Sequence, residues 1–406
     1  MNKKNVRDVE VAGKRVLVRV DLNVAIDSQG GIVDDTRLRA SLPTIQYLLE
    51  RGARVILLSH LGRPDGQRNP EFSLAPVAKG LEGLLGQPVF FLNDCVGEDV
   101  AAFINHKLKS GQVVLLENLR FHAEEEANDP DFAKALASLG DLYVNDAFGT
   151  AHRAHASTEG IAHYRDAVAG LLMEKEIDYL GRLLENPDRP FAAILGGSKA
   201  STKVGVIRNL LEKVKVDYLL LCGGMTFAFL KAMGQNVGDS RVDDKSLARA
   251  QELVKNGLAP NLYLPEDVVV TDRNFDIKKP LDPAAQHKIV AASEIPDGWQ
   301  GVDIGPKTLD RYQGIIKSCK TVVWNGPAGV FEIPEFAAGT NGIAKAVAES
   351  GATSVVGGGE SVAAVHKAGV ADKITWISTG GGASLEFLEG IELPGVKALE
   401  DREPAR

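Results

Sequence analysis

Short apolar runs, each closed by glycines or a polar cluster and each followed by a stretch with helical spacing, recur along all 406 residues. That alternation admits few folds. Short apolar runs alternating with helical patterns argue for a parallel sheet covered by helices. The candidate strands of the first half are 15–20, 55–58, 89–92, 113–116 and 142–144; those of the second are 191–195, 218–221, 268–270, 322–324, 354–356 and 375–377. Between the halves Met173, Ile177, Leu180 and Leu184 recur at helical spacing, and Asn186-Pro187 stops the pattern. The expected class is α/β, with two doubly wound parallel-sheet (Rossmann-like) domains joined by an interdomain helix. A chain of this length suits two cores of roughly 200 residues each. The boundaries read as 1–170, a helix over 171–186, a second domain over 187–385, and a C-terminal segment, 386–406, able to pack back on the first domain.

The two halves end their strands differently. In the second, apolar runs break into Gly196-Gly197-Ser198-Lys199, Gly223-Gly224, Gly357-Gly358-Gly359 and Gly380-Gly381-Gly382. Glycine lets backbone N–H groups approach an anion, and a helix starting there adds the positive end of its dipole. Lys199 and Lys203, four residues apart, are expected on one helix face above the bound anion. Isolated glycine pairs usually only make turns, but several at the carboxyl ends of successive strands mark the ligand edge of an open parallel sheet. The Walker pattern is absent, because no glycine precedes Lys203. Val362 and Leu385 stand where a dinucleotide fingerprint needs its third glycine, which disfavours a nicotinamide-dependent oxidoreductase.

In the first half the strands end in polar residues: Asp21 and Asn23, then His60 and Arg63, then Arg120, then Arg153, with Arg37 after the first turn. Any one of these is more simply a solvated charge. Gathered on one sheet edge they would repel one another without an anion, and guanidinium groups suit carboxylate and phosphate oxygens. The implied ligand is small and carries a phosphate, a carboxylate and a hydroxyl, with Asp21 and Asn23 accepting from the hydroxyl or bridging to it. With a net charge of −8 the chain is no general nucleic-acid binder, so the basic residues must act locally. Cys95, Cys222 and Cys319 lack metal-ligand spacing and read as buried thiols of a reducing compartment. No run is long enough for a signal peptide or membrane span, so a cytoplasmic protein is expected.

The motifs Arg19-Val20-Asp21-Leu22-Asn23, Ser59-His60-Leu61-Gly62-Arg63-Pro64, Glu117-Asn118-Leu119-Arg120-Phe121, Val323-Trp324-Asn325-Gly326-Pro327 and Ser378-Thr379-Gly380-Gly381-Gly382 occur in this order and closely resemble the phosphoglycerate kinase family over essentially the whole chain. The resemblance implies a glycolytic kinase moving a phosphoryl group reversibly between Mg-ATP and the carboxylate of 3-phosphoglycerate, giving ADP and 1,3-bisphosphoglycerate. By resemblance Asp21, Asn23, Arg37, His60, Arg63, Arg120 and Arg153 contact 3-phosphoglycerate. Lys199, Lys203, Gly301, Asn325, Glu332, Gly358, Gly359, Glu360 and Ser361 likewise contact nucleotide, with Gly301 by the adenine, Glu332 by the ribose and Glu360 by Mg²⁺. Arg37, Lys203, Gly359 and Gly382 are the expected catalytic set. Three residues depart from the family pattern: Ala25 for proline, Ala200 for valine, and Glu360 for aspartate, which lengthens the metal carboxylate by a methylene. A monomer that closes about a hinge is expected, without nucleic-acid or membrane partners. The alternative is a noncatalytic phosphate-ligand-binding or scaffolding protein on the same fold.

Overall fold

A computed structural model of the chain describes residues 2–255 and 257–402. Those residues divide into two compact units, 2–178 with 392–402 and 179–391. The first unit is built on β1 (Arg15–Arg19), β2 (Arg54–Leu58), β3 (Val89–Leu92), β4 (Val113–Leu116), β5 (Leu142–Asn145) and β6 (Ala167–Ala169), all parallel in the order β3-β4-β2-β1-β5-β6. Alternate residues Val16, Val18 and Val20 pack with Leu38, Ile45 and Leu48 of helix Thr36–Glu50, and Leu17 turns to the other face. Each such fully buried side chain contributes about 1.5–3 kcal/mol, which explains why the strands read as apolar runs instead of alternating. Strand β6 went unread because Ala167 and Ala169 carry little apolar signal.

The second unit contains β7 (Phe191–Leu195), β8 (Tyr218–Leu221), β9 (Asn236–Val237), β10 (Leu262–Tyr263), β11 (Asp267–Thr271), β12 (His287–Ala291), β13 (Glu294–Ile295), β14 (Gln300–Ile304), β15 (Thr321–Asn325), β16 (Thr353–Gly357) and β17 (Trp376–Ile377). Its main sheet is parallel, in the order β10-β8-β7-β15-β16-β17. One expectation is corrected here. Residues 268–270 do not join that sheet; they lie in β11, the centre of an antiparallel β12-β11-β14 sheet with its own cluster around Val268, Val270, Phe227 and Ile295. A three-valine run specifies a buried strand but not its partner, and the sixth place falls to the two-residue β10.

In both main sheets the strand order reverses direction once, between β1 and β5 in one and, at the centre, between β7 and β15 in the other. Crevices at such points, outside the carboxyl ends of the strands, are where doubly wound sheets take ligands.

Helix Leu171–Glu185 crosses the boundary between the units, which falls between Asp178 and Tyr179. Met173, Ile177 and Leu180 are buried as their spacing requires, whereas Leu183 is buried more deeply than Leu184. Its first turn is fixed within the first unit. Leu171 N donates to Thr44 Oγ1 at 2.9 Å, and the fully buried Asp146 accepts from Leu172 N at 2.9 Å and Met173 N at 3.1 Å through Oδ1. Burial pushes the Asp146 carboxyl up to about 6. The chain end also lies on this unit: Glu400 N donates to Ala167 O at 2.9 Å and its carbonyl accepts from Lys4 N at 2.8 Å. Of the segment set apart as 386–406, residues 386–391 lie in the second unit, 392–402 in the first, and 403–406 outside the described residues.

Candidate active site

The carboxyl ends of β1, β2, β4 and β5 bring the basic residues of the first unit together. His60, just past β2, is buried and held well below the ordinary histidine range, first by burial and then by the charges of Arg19, Arg120, Arg37 and Arg153. Its imidazole is therefore neutral at physiological pH. Arg37 reaches from the first turn of helix Thr36–Glu50 to pair with Asp21. Asn23 Oδ1 accepts from Gly62 N at 2.9 Å, fixing the His60-to-Arg63 turn. Arg120 is buried, donates to Gly62 O at 2.8 Å and lies 3.2 Å from Glu126. Arg63 is exposed, and half-buried Arg153 donates from Nε to His152 Nε2 at 3.3 Å. The structure thus places all seven sequence-chosen residues at one sheet edge, without requiring each to be free. It adds His155, which burial and neighbouring arginines push down to about 4. It also adds Arg19, which pointed inward from a strand that otherwise read only as core.

Asp94, Cys95 and His122 bring potential ligand atoms within 4.8 Å of one another elsewhere in this unit. There, however, His122 Nε2 is 2.8 Å from Asp94 Oδ1, and Arg68 donates to Asp94 Oδ2 at 3.0 Å. The carboxylate is already satisfied by its neighbours.

In the second unit the glycine turns line two cavities that share Gly197, Ser198 and Glu360. One, of about 260 Å³, is walled by Phe227, Gly301, Val302, Val330 and Glu332 and is mostly apolar, as a nucleobase and sugar require. Gly301 allows a close approach: a Cβ there would lie 2.0 Å from the Phe227 ring. Asp303, which also lines this cavity, accepts from Ile304 N at 2.9 Å and Gly339 N at 2.6 Å, and burial pushes its carboxyl up to about 7. The other cavity, of about 370 Å³, is lined by Lys199, Lys203, Asn325, Gly358, Ser361 and Gly382 among others. Helices Gly359–Lys367 and Gly382–Leu388 begin at it.

The paired-lysine expectation fails. Residues Ala200–Thr202 form a 3-10 turn, and the α-helix starts only at Val204, so Lys199 and Lys203 share no helix face. Lys199 is exposed, while Lys203 is buried, with Nζ donating to Gly196 O at 2.6 Å and Asn325 O at 2.9 Å. Burial lowers its ammonium to about 8. Gly326, at φ +97°, makes this packing possible, because a Cβ would lie 2.3 Å from Gly196 O and 2.5 Å from Lys203 Nζ. Asn325 is buried, and its Nδ2 has no hydrogen-bond partner, an amide donor without an acceptor in the lining of the 370 Å³ cavity. Ser361 Oγ accepts from Gly326 N at 2.5 Å. Exposed Glu360 and Glu332 border the cavities. Arg241, which lines the mostly apolar cavity, was missed because no motif surrounds it.

Convergent guanidinium groups at one sheet edge and glycine-lined cavities at another are what a phosphotransferase of the α/β class needs. The family model for phosphoglycerate kinase matches residues 6–391. Phosphoglycerate kinases of Microcystis aeruginosa and Chlorobium phaeobacteroides are 55% identical over 404 residues and 56% identical over 409. These alignments cover 98% of this chain and 98% of the first relative, and 99% of this chain and 100% of the second. The solved phosphoglycerate kinase of Coxiella burnetii superposes with a TM-score of 0.86 at 42% identity, and that of Pyrococcus horikoshii with 0.83 at 36%, each covering 98% of both chains. The chain belongs to the phosphoglycerate kinase family. It is a glycolytic phosphotransferase that moves a phosphoryl group between ATP and the carboxylate of 3-phosphoglycerate.

Proposed function

We propose that 3-phosphoglycerate binds through Asp21, Asn23, Arg37, His60, Arg63, Arg120 and Arg153, and that Mg-nucleotide binds through the glycine-lined cavities of the second unit. The observation that carries the first assignment is the neutral, buried His60 ringed by four guanidinium charges. The unpartnered Asn325 amide beside Lys203 supports the second.

The acceptor is a carboxylate, ionised at neutral pH, so no general base is needed to create the nucleophile. Catalysis then rests on in-line placement and on charge stabilisation over the transferring oxygens. Arg37 supplies a guanidinium from the acceptor side and Lys203 an ammonium from the donor side, while the amides beginning at Gly359 and Gly382 add N–H donors. Lys203 must exchange its carbonyl partners, Gly196 and Asn325, for phosphate oxygens. Lys199, exposed, contributes to nucleotide binding more than to the chemistry.

Glu360 fits a Mg²⁺ role because it offers a hard oxygen at the junction of the two cavities, and Mg²⁺ characteristically takes one or two carboxylates together with substrate phosphates and waters. When bound, Mg²⁺ neutralises charge on the donor phosphates. The two ligand sets lie on different units, so transfer requires closure that excludes water, with helix Leu171–Glu185 as the connecting element. The enzyme acts as a cytoplasmic monomer, and among the described residues no helix is long and apolar enough to cross a membrane. A coupled assay tests the whole reading: ATP consumption should require both 3-phosphoglycerate and Mg²⁺. ATP turnover independent of 3-phosphoglycerate would defeat it.

A further inference from the structure

Ser157 carries none of the roles assigned above, yet it is completely buried beneath the basic pocket and links its floor to an acid. Its hydroxyl accepts from Arg19 Nε at 2.8 Å and donates to Glu125 Oε1 at 2.6 Å, and its amide donates to Glu125 Oε2 at 2.9 Å. Tyr143 pins the Ser157 carbonyl with a 2.6 Å bond. Glu125 is itself fully buried, with the charges of Arg19 and Arg120 acting on it and His155 Nδ1 3.9 Å away. From the other end of its guanidinium, Arg19 NH2 lies 3.1 Å from His60 Nδ1.

Arginine has five donors and no acceptor, so in this contact His60 Nδ1 must accept. A neutral imidazole that accepts at Nδ1 carries its proton on Nε2. Among the described residues the one hydrogen bond to the His60 ring is this contact at Nδ1, which leaves Nε2 for a ligand. We propose that Glu125, Ser157 and Arg19 form a positioning relay that fixes His60 in the Nε2–H tautomer, so that the pocket offers an anionic oxygen of 3-phosphoglycerate a hydrogen-bond donor. This rests on the placement of His60 in the 3-phosphoglycerate site. The opposite tautomer would turn a lone pair toward the anion. Imidazolium is disfavoured by burial and by the groups facing the ring, Arg19, Arg37, Arg120 and Arg153. Glu125 offsets the charge of Arg19 from below, and Ser157 sets the guanidinium's direction.

The test is ¹⁵N-edited NMR of histidine-labelled protein beside steady-state kinetics. In the unsubstituted enzyme His60 should show a bare Nδ1 and a protonated Nε2, unchanged between about pH 6 and 8. Ser157→Ala should mix the tautomers and raise KM for 3-phosphoglycerate about tenfold, leaving KM for ATP within about twofold. Ser157→Thr, which keeps the hydroxyl, should restore both readouts, and Glu125→Gln should reproduce the alanine effect in weaker form. A protonated Nδ1 or an imidazolium in the unsubstituted enzyme at pH 7 overturns the relay, whether or not the variants fold. A folded Ser157→Ala with unchanged tautomer and KM does so as well. His60→Gln separates the two layers: an unchanged KM for 3-phosphoglycerate removes His60 from the binding site and the relay's purpose with it. A raised KM with unresponsive relay variants defeats the relay alone.

Discussion

On the assignment proposed above, the two switch points hold anionic groups at the carboxyl edge of a parallel sheet with different materials. Between β1 and β5 the first unit uses side-chain charge: arginines around a neutral histidine, backed by buried Asp21 and Glu125. Between β7 and β15 the second uses glycine turns whose own amides fix the loop, Gly196 N donating to Asn325 O at 2.9 Å and Gly197 N to Pro327 O at 2.9 Å, with one buried lysine tethered to two carbonyls. A compact phosphorylated acid with fixed geometry suits convergent forks that read each oxygen. A flexible polyphosphate suits a lining that approaches closely and fits loosely. Charge supplied by side chains is removable one residue at a time, whereas a backbone site fails through conformation.

That contrast can be broken most directly at Arg37. Arg37→Ala should lower kcat by roughly 10² to 10⁴ while nucleotide affinity holds, and Lys203→Ala should do the same from the other side, as loss of a charge contact in the transition state would. Near-normal turnover at saturating substrates would remove either from catalysis. Gly326→Ala tests the main-chain half. Its Cβ cannot coexist with Gly196 O and Lys203 Nζ, so ATP affinity should fall about ten- to a hundredfold by calorimetry, with 3-phosphoglycerate binding intact. Loss of both affinities together would mean the units are not independent.

Titration sharpens the comparison. Lys203, lowered to about 8, loses its proton as pH rises through that value, so kcat/KM for ATP should fall about tenfold between pH 7 and 9. KM for 3-phosphoglycerate should stay flat there, because His60 is already neutral. The same depressed value makes burial of Lys203 destabilising below about pH 8, a penalty relieved as pH rises toward its ordinary range, because only the unfolded chain still holds that proton. A pH-independent ATP term would contradict the buried ammonium. The smallest effect is expected at Glu360. Glu360→Gln should raise the Mg²⁺ needed for half-maximal activity several-fold and leave 3-phosphoglycerate binding unchanged, with Glu360→Asp milder still.

Much of this was legible from residue order alone, and what escaped did so for identifiable reasons. Parallel strands buried on both faces announce themselves, and Arg63, Arg120 and Arg153 follow strand ends where ligand side chains are sought. Residues 268–270 were assigned to the wrong sheet because Val268 to Val270 has no register of its own, and β10 went unread because two residues carry no periodicity. Lys199 and Lys203 were paired on the assumption that a helix starts at the glycines. Instead the 3-10 turn over Ala200–Thr202 rotates one lysine outward and buries the other. Arg19 was hidden for the opposite reason: a charged residue in a strand of valines gives no hint that its guanidinium lies completely buried under a pocket.

The capped start of helix Leu171–Glu185 has a mechanical meaning. Asp146 closes β5, opens the loop that carries His152 and Arg153, and grips the helix through two amides, while Thr44 holds a third from a different helix. The shaft is therefore seated in a socket whose rim is the loop carrying His152 and Arg153, and a small displacement of that loop should reach the helix as a tilt instead of being absorbed as fraying. Compliance has to come from beyond the socket, toward Asn186-Pro187. A glycine placed at Glu185 should loosen the linkage, whereas Asp146→Ala should unseat it, and hydrogen exchange at Leu172 and Met173 would tell the two apart.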